Sequence, residues 1–550
     1  MHRTIFGITA AIAAAGTVAL VAPAPAEACG GFFCNRQPID QSGENIIYAA
    51  GDDGTMETHV QILYQGTAES FAWILPVPSV PELGVGTDVF FQQIRQATQP
   101  QFRTNSETTG ECRTTPECPR DDDGWWGRED YDTAGPMASA DAGAAPPSGE
   151  VEVLLEESVG PYDAVVLSST DAMALFDWLT DNSYDIPEAS VPLLMEYIEN
   201  GNYFLALKLQ QNRGTGEIQP VVLRYTELKP CLPIKLTSIA TVPDMPITAY
   251  ILGSRRARPN NYLATEPDLD DSSFWLRGAS YADAVSRAVD DAGGQAFVTD
   301  FAGATPTMRI ALADVEDLRE TSDPGAFLMG LQERGFNGDS QLLGLLLRYI
   351  PPPTDAESNQ FYNCIVNSWC DTYDAHLAGL SFDPGAFVDA LNEAIVEPRQ
   401  HAEDLTRLHP QLTRLFTTMS AEDMTLDPLF DLDEAVPEVS NIHEAMRLTE
   451  CAAEYFSFHA PVKFILPSGA EEVLQEGIAY MGSDDQYCED REGGMYGPYV
   501  EDSTARATAT RRGIVLGGGG GCNVSGSAGG LGLGLFLGLG ILVGSRRRRR

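Results

Sequence analysis

Chemistry in this chain would have to come from ten cysteines, seven histidines and an abundance of carboxylates. The cysteines are Cys29, Cys34, Cys112, Cys118, Cys231, Cys364, Cys370, Cys451, Cys488 and Cys522. Cys112/Cys118 and Cys364/Cys370 are each six residues apart and suit small disulfide loops, while Cys451/Cys488 suits a longer one. Pairing among Cys29, Cys34 and Cys231 stays open. If cleavage follows Ala28, Cys29 becomes an N-terminal thiol with its own amine as base, a workable arrangement for amide hydrolysis. Cys34, five residues on, makes a disulfide the expected state in an oxidising compartment.

The histidines give no motif. His59, His376, His401, His409, His443 and His459 include no His-x3-His pair, and the zincin-like start at His443-Glu444 fails because Arg447 takes the fifth position. His59 falls on the polar side of an alternating segment and reads as a solvated strand residue. No Walker loop, dinucleotide fingerprint or nucleophile elbow is present in the body. The sequence therefore assigns no catalytic, cofactor or metal residues. Calcium is the one cofactor that charge alone suggests, at Asp52-Asp53-Gly54, Asp268–Asp271, Asp427–Glu434 or Asp484-Asp485. Asp121–Asp123 lacks calcium-loop spacing, with Pro119 where a first ligand should stand.

Charge excludes one class of partner. The formal net charge is −44; setting aside Arg3, Glu27 and the five arginines Arg546–Arg550 leaves a body of 29 basic and 78 acidic residues. Such a surface repels nucleic acid. Residues 1–28 read as a secretory signal: Arg3, an apolar Ile5–Val21, and Ala26-Glu27-Ala28 as the cleavage site. The lipobox alternative is poorly matched by Ala26 and Glu27. At the other end, Gly517–Gly521, Cys522, an apolar Leu531–Gly544 and the arginines form a membrane handle. Fourteen residues reach only about 21 Å against a hydrocarbon core of roughly 30 Å. Transient insertion is thus expected, with Cys522 as the lasting sorting or lipid-attachment point.

The elements between these ends predict an α+β fold, mainly antiparallel, followed by a helix-rich region and a closing hairpin. Thr58, Val60, Ile62 and Tyr64 alternate with polar residues as a strand, and Ser70–Val77 continues in β before the prolines. Asp88–Ala97 is predicted helical, and 103–150 a polar loop insertion. Strands follow at Val151–Glu156, Tyr162–Leu167, Tyr203–Gln210, Gln219–Tyr225, Leu232–Ile239, Met245–Leu252 and Gln295–Phe301. Helices are expected after Thr170-Asp171, from Pro187, and from Tyr281 to Gly293-Gly294. Residues 311–458 read as mostly helical: Leu405 to Met419 keep helical spacing across a break at His409-Pro410, and Ile442 to Phe456 form another helix. The domain division is 1–28 signal, 29–301 α+β, 302–491 helix-rich with the hairpin, 492–521 tether, and 522–550 tag.

Ala28-Cys29-Gly30-Gly31-Phe32-Phe33-Cys34, Phe71–Pro78, Cys231–Thr237 and the span from Met424 to His443 together resemble an uncharacterised exported bacterial domain family, common in myxobacteria. The resemblance implies no activity and no catalytic residues. The tail is similar to the MYXO-CTERM sorting tag. That similarity implies a membrane-embedded sorting protease as a partner, cleavage near Cys522, lipid modification there, and a final place at the cell surface or outer membrane. The expected role is binding or envelope structure; the alternative is an exported hydrolase with its site in the β-rich half.

Overall fold

The computed structural model describes residues 43–63, 71–116 and 151–483, apart from 185, 212, 228, 240, 271, 278–279, 337–338 and 367–370. These residues fall into two compact units. Of the described residues, the larger unit draws on those within 43–110, 151–450 and 462–474, the smaller on 111–116, 451–461 and 475–483.

In the larger unit β1 (Glu44–Ala50) and β2 (Thr55–Gln61) form a hairpin. Its turn is closed by Asp53, whose carboxylate accepts from the Thr55 backbone N–H at 3.0 Å, and by Gly54 at φ 83°. After β3 (Ala72–Val77) and β4 (Glu82–Val85), α1 (Asp88–Thr98) starts where the Thr87 side chain accepts from the Val89 N–H. β5 (Gln101–Thr109), β6 (Val151–Val159) and β7 (Tyr162–Ser169) follow. Asp171 caps α2 (Ala172–Asp181), and α3 (Val191–Glu199) leads into β8 (Tyr203–Leu209) and β9 (Val221–Thr226). Next come β10 (Met245–Gly253), β11 (Arg256–Pro259), β12 (Leu263–Thr265), α4 (Ser272–Arg277), α5 (Tyr281–Asp291) and β13 (Ala296–Ala304).

Helices α6 (Pro324–Glu333), α7 (Ser340–Tyr349), α8 (Ser358–Val366), α9 (Asp374–Gly379) and α10 (Pro384–Leu391) share a core of their own, including Phe327, Phe361 and Phe387. A π-helical turn, Asn392–Val396, joins α10 to α11 (Glu397–Leu408). The chain then returns to β: β14 (Gln411–Met419), β15 (Phe430–Asp433), β16 (Ile442–Glu450), β17 (Val462–Ile465) and β18 (Glu471–Gln475).

The principal sheet has the order β12-β13-β14-β10-β1-β2-β9-β4; β1 runs parallel to β10 and β12 to β13, and the other described pairings are antiparallel. A second sheet, β3-β8-β7-β6, is antiparallel throughout. These two sheets bury one face each against the other: Ile46, Tyr48, Leu223, Ile247 and Leu415 meet Trp73, Leu75, Tyr162 and Leu205. The outer face of the principal sheet is covered by α1 and α11 through Phe90, Phe91, Ile94, Ala402 and Leu405. The outer face of the second is covered by α2 and α3 through Leu175, Leu179 and Leu194. Helix, sheet, sheet and helix thus stack as layers, and the α+β expectation with largely antiparallel sheets holds.

Four local readings need correction. Gln411–Met419 is strand, not helix: it pairs with β10 on one edge and β13 on the other, and both its faces are buried, Leu415 and Met419 in one core and Leu412 and Phe416 in others, so Thr413, Thr417 and Thr418 fit the pleat. The helical spacing of Leu412, Leu415, Phe416 and Met419 is what a two-sided buried strand also gives. This strand carries the principal sheet across the division drawn at 301–302. Ile442–Glu450 is likewise strand, paired with β5 and β17. That pairing also orders residues 103–109, which the sequence assigned to a loop insertion; 117–150 lie outside the described residues. Leu232–Ile239 is not a strand but a turn ending in the short 3-10 segment Thr237–Ile239.

In the smaller unit Cys112 and Cys451 form a disulfide with Cα atoms 4.6 Å apart. This replaces the expected Cys112/Cys118 and Cys451/Cys488 pairs. The cause is register: β5 and β16 run parallel from Gln101↔Ile442 to Thr109↔Glu450, so the residues after them emerge side by side. Arg113 lies over the Phe456 and Tyr480 rings and donates to the Tyr480 carbonyl at 3.2 Å.

The two leucines flanking the misread boundary give a test. Leu415 is fully buried in β14, whereas Leu408 at the end of α11 is 72% exposed. Leu415→Ala should cost about 2–5 kcal/mol in denaturant unfolding and Leu408→Ala under about 0.5 kcal/mol. Comparable effects at the two positions would contradict this placement.

Candidate functional site

Because strand side chains alternate, the β1–β2–β9 part of the principal sheet presents different residues on its two faces. Toward the second sheet lie Tyr48, Thr58, Val60, Leu223 and Tyr225, which line a cavity of about 410 Å³. Its other walls are Leu75–Pro78, the end of α3 from Tyr197 to Asn202, and the segments around Cys231–Lys235 and Leu426–Leu429. Three of the stretches carrying the family resemblance, 71–78, 231–237 and 424–443, meet here.

Asp427 ties these walls together. Its carboxylate accepts from the Tyr197 hydroxyl at 3.0 Å and from the backbone N–H groups of Ile234 and Lys235 at 3.0 and 3.2 Å. Its carbonyl accepts from the Asn261 side chain at 2.8 Å. The Tyr48 hydroxyl donates to the Cys231 carbonyl at 2.7 Å. Cys231 carries a free thiol, pushed up to about 12 by burial and by the nearby Asp427 and Glu227 carboxylates. It is therefore a poor nucleophile at neutral pH. Among the described residues, the cavity lining contains no histidine.

The opposite face holds a second cluster. Glu57 and His59, two residues apart on β2, point the same way, and His401 of α11 comes down on them. Both His59 Nε2 and His401 Nε2 contact the same Glu57 oxygen, Oε1, at 2.7 and 2.6 Å. Arg224 stands opposite Glu57 on β9 and donates from Nε to Oε2 at 2.7 Å; it also reaches Glu82 of β4 at 3.3 Å. The His59 and His401 rings are near parallel, 6.3 Å apart, and Phe90 of α1 packs edge-on to His59 at 5.5 Å. Among the described residues, Glu57, His59 and His401 are the group whose donor atoms could together ligate an ion, all lying within 4.8 Å of one another. Beside them a cleft of about 400 Å³ is lined by Glu57, Glu82, Arg224, Leu405 and His409.

The local sequence explains how α11 delivers His401. The π turn adds a residue, rotating α11 by about 100° relative to an uninterrupted α-helix. Its Ala394 carbonyl accepts from the Gln219 side chain at 2.7 Å. Arg399 pairs with the buried Asp339, and Glu403 accepts from the Ile310 and Ala311 N–H groups at 2.8 Å each. The helix is thus pinned on both sides of His401. Burial pushes the Glu57 carboxyl up, but hydrogen bonds from His401 and His59 more than reverse this and hold it well below the carboxylate range. Burial lowers His59, which favours the neutral ring.

The sequence reading of His59 as solvated is overturned: it is 1% exposed. β2 lies inside the sheet and its second face is roofed by α1 and α11, so both sides of its alternation are buried. Of the other sequence candidates, Cys112 and Cys451 are bonded to each other, Cys364 is disulfide-bonded, and Cys231 is free. Cys29, Cys34, Cys118, Cys370, Cys488 and Cys522 lie outside the described residues. His443 stacks on Phe102 at 5.2 Å within the β5–β16 sheet. The acidic stretches offered for calcium are partly engaged within the protein: Asp53 closes a turn, Asp427 binds the cavity wall, and Asp431 and Asp433 pair with Lys229 and Arg258.

Glu44 lies on the same face of β1 as Ile46 and Tyr48. Burial and the Asp427 charge raise its carboxyl from 4.5 to about 8, and its Oε2 has no hydrogen-bond partner among the described residues. The folded state therefore binds more protons than the unfolded state between these values, so this group's contribution to stability falls as pH rises from about 4.5 to about 8. Glu44→Gln should remove that slope and leave the variant more stable than wild type at pH 8 by about 1–3 kcal/mol. Urea melts at pH 5, 6.5 and 8 would measure it, and an unchanged slope would refute the assignment.

Comparison with known proteins places the chain without assigning an activity. Neither curated proteins nor solved structures give a match. Residues 23–407 match a family described as an uncharacterized protein conserved in bacteria, DUF2330. The match spans most of the principal sheet, the helical core and both histidines of the Glu57 cluster. By that match the chain belongs to the DUF2330 family.

Proposed function

We propose that this protein is exported, held at the cell surface through Cys522, and acts there as a binding protein whose ligand enters the cavity around Asp427. The observation carrying this reading is the cavity itself. A mainly aliphatic and aromatic wall surrounds a few fixed polar groups, the arrangement that small-molecule sites favour. Its thiol is held protonated and no histidine stands beside it, so the pairing of nucleophile and base that a hydrolase needs is missing from this lining. Asp427 and Glu227 face one lysine, Lys235, which is itself paired with Glu196 at 3.0 Å. The ligand that fits is an apolar molecule with a cationic or hydroxyl-bearing end.

Export and anchoring are supported by the amino-terminal segment and by the glycine, cysteine, apolar and arginine order of the tail. The strongly acidic body suits a salty exterior where screening is strong. The tag-processing protease is the expected partner.

Intact-mass analysis of protein stripped from the cell surface should give a chain beginning at Cys29 and ending near Cys522; a chain still ending in Arg550 would sink the anchoring proposal. The cavity has its own assay. An aromatic-amine fragment library screened by ligand-detected NMR should yield binders that are lost when the cavity is filled by the substitution Cys231→Trp. Binding indifferent to that substitution would place the ligand elsewhere.

A further inference from the structure

We propose that Glu57, His59 and His401 form a site for a divalent transition metal ion of the zinc class, independent of the cavity on the other face of the sheet. Three donors of the right kind converge. One ring nitrogen from each histidine and one carboxylate oxygen lie within 4.8 Å of one another, brought together from β2 and α11 across 344 residues. Two histidines with one carboxylate is a donor set suited to zinc and iron and poorly suited to calcium, which takes oxygen ligands.

The hydrogen bonding gives an independent argument. His401 Nε2 lies 2.6 Å from Glu57 Oε1 and 3.2 Å from Arg224 Nη2. If that nitrogen carries a proton, it satisfies Glu57 but faces the N–H of an arginine that can only donate. If it carries a lone pair, it accepts from Arg224 but opposes a lone pair of the ionised Glu57. No proton placement satisfies both contacts. A cation between His59 Nε2, His401 Nε2 and Glu57 Oε1 removes the opposition between His401 and the ionised Glu57, because all three then present lone pairs to it; the single lone pair of His401 Nε2 is then spent on the ion, and Arg224 keeps its bonds to Glu57 Oε2 and Glu82 instead. The ligand atoms would open from 2.6–2.7 Å to about 3.4 Å for bonds of about 2.0–2.1 Å in tetrahedral geometry.

The surroundings fit this role. Arg224 occupies only Oε2, leaving Oε1 for the metal and fixing the carboxylate plane, as outer hydrogen bonds to metal ligands commonly do. Phe90 and the roof of α1 hold the His59 ring. His401 is 39% exposed, which opens the fourth position to solvent. Binding transfers the His59 proton from Nε2 to Nδ1, a buried atom without a partner among the described residues. An unpaired N–H there costs less than a metal–nitrogen bond contributes.

The test uses the full mature chain, stripped with chelator and titrated with Co²⁺ alone. One equivalent should give the visible d–d absorption of nitrogen-ligated cobalt, bleached by one equivalent of Zn²⁺ and unaffected by excess Ca²⁺. His401→Ala, at a half-buried position, and Glu57→Gln should each weaken Co²⁺ by roughly 100-fold or more while keeping the circular dichroism spectrum of the wild-type fold. Absence of a cobalt spectrum in the wild-type protein, or His401→Ala binding as tightly as wild type, would overturn the proposal. A failure here leaves the cavity reading intact, since filling the cavity at Cys231 does not touch these residues.

Discussion

Burial on both faces of the central strands is the constraint on which the rest of this structure depends. β1, β2 and β10 lie inside an eight-stranded sheet whose one side meets a second sheet and whose other side is roofed by α1 and α11. Neither face can be left to water, so even the polar residues of these strands must find partners within the fold. Glu57 and His59 find each other, His401 and Arg224; Thr58 finds the Tyr225 hydroxyl at 2.9 Å. Polar groups that would idle on a solvated strand become organised sites on a buried one.

Strand alternation then separates two kinds of chemistry by one residue. Thr58 and Val60 look into an apolar cavity, while Glu57 and His59 look toward α11. The cavity depends on Asp427, which draws three distant segments together by accepting hydrogen bonds from a side chain and two backbone groups. The cluster depends on the π turn and the two anchors of α11, which fix the helix around His401. A rigid sheet between them lets each be altered without dismantling the other.

Much of the fold was legible. The helices after Asp171, from Pro187 and from Tyr281 carry their caps and apolar spacing on the surface of the sequence, and the structure places α2, α3 and α5 there. β14 was misread for a definite reason: a strand buried on both sides has no alternation, and its apolar residues happened to fall at helical intervals. The Cys112–Cys451 bridge was missed because nearness along the chain says little about nearness in space, and a parallel pairing of segments over 300 residues apart leaves no local trace. The Glu57 cluster had half a signal, since Glu57 and His59 share a face at spacing two, but nothing near them announced His401.

The sequence alone determined the fold class, most of the caps and turns, the acidity of the body, and the family resemblance, because each is written in local spacing or composition. It also carried the expectation of a signal and a sorting tag. Which residues meet was decided only by the tertiary structure. Burial of His59, the pairing of Cys112 with Cys451, the walls gathered by Asp427 and the arrival of His401 at Glu57 all rest on pairings between segments far apart in the chain. Those pairings are set by which faces can be covered, and no single segment contains that information.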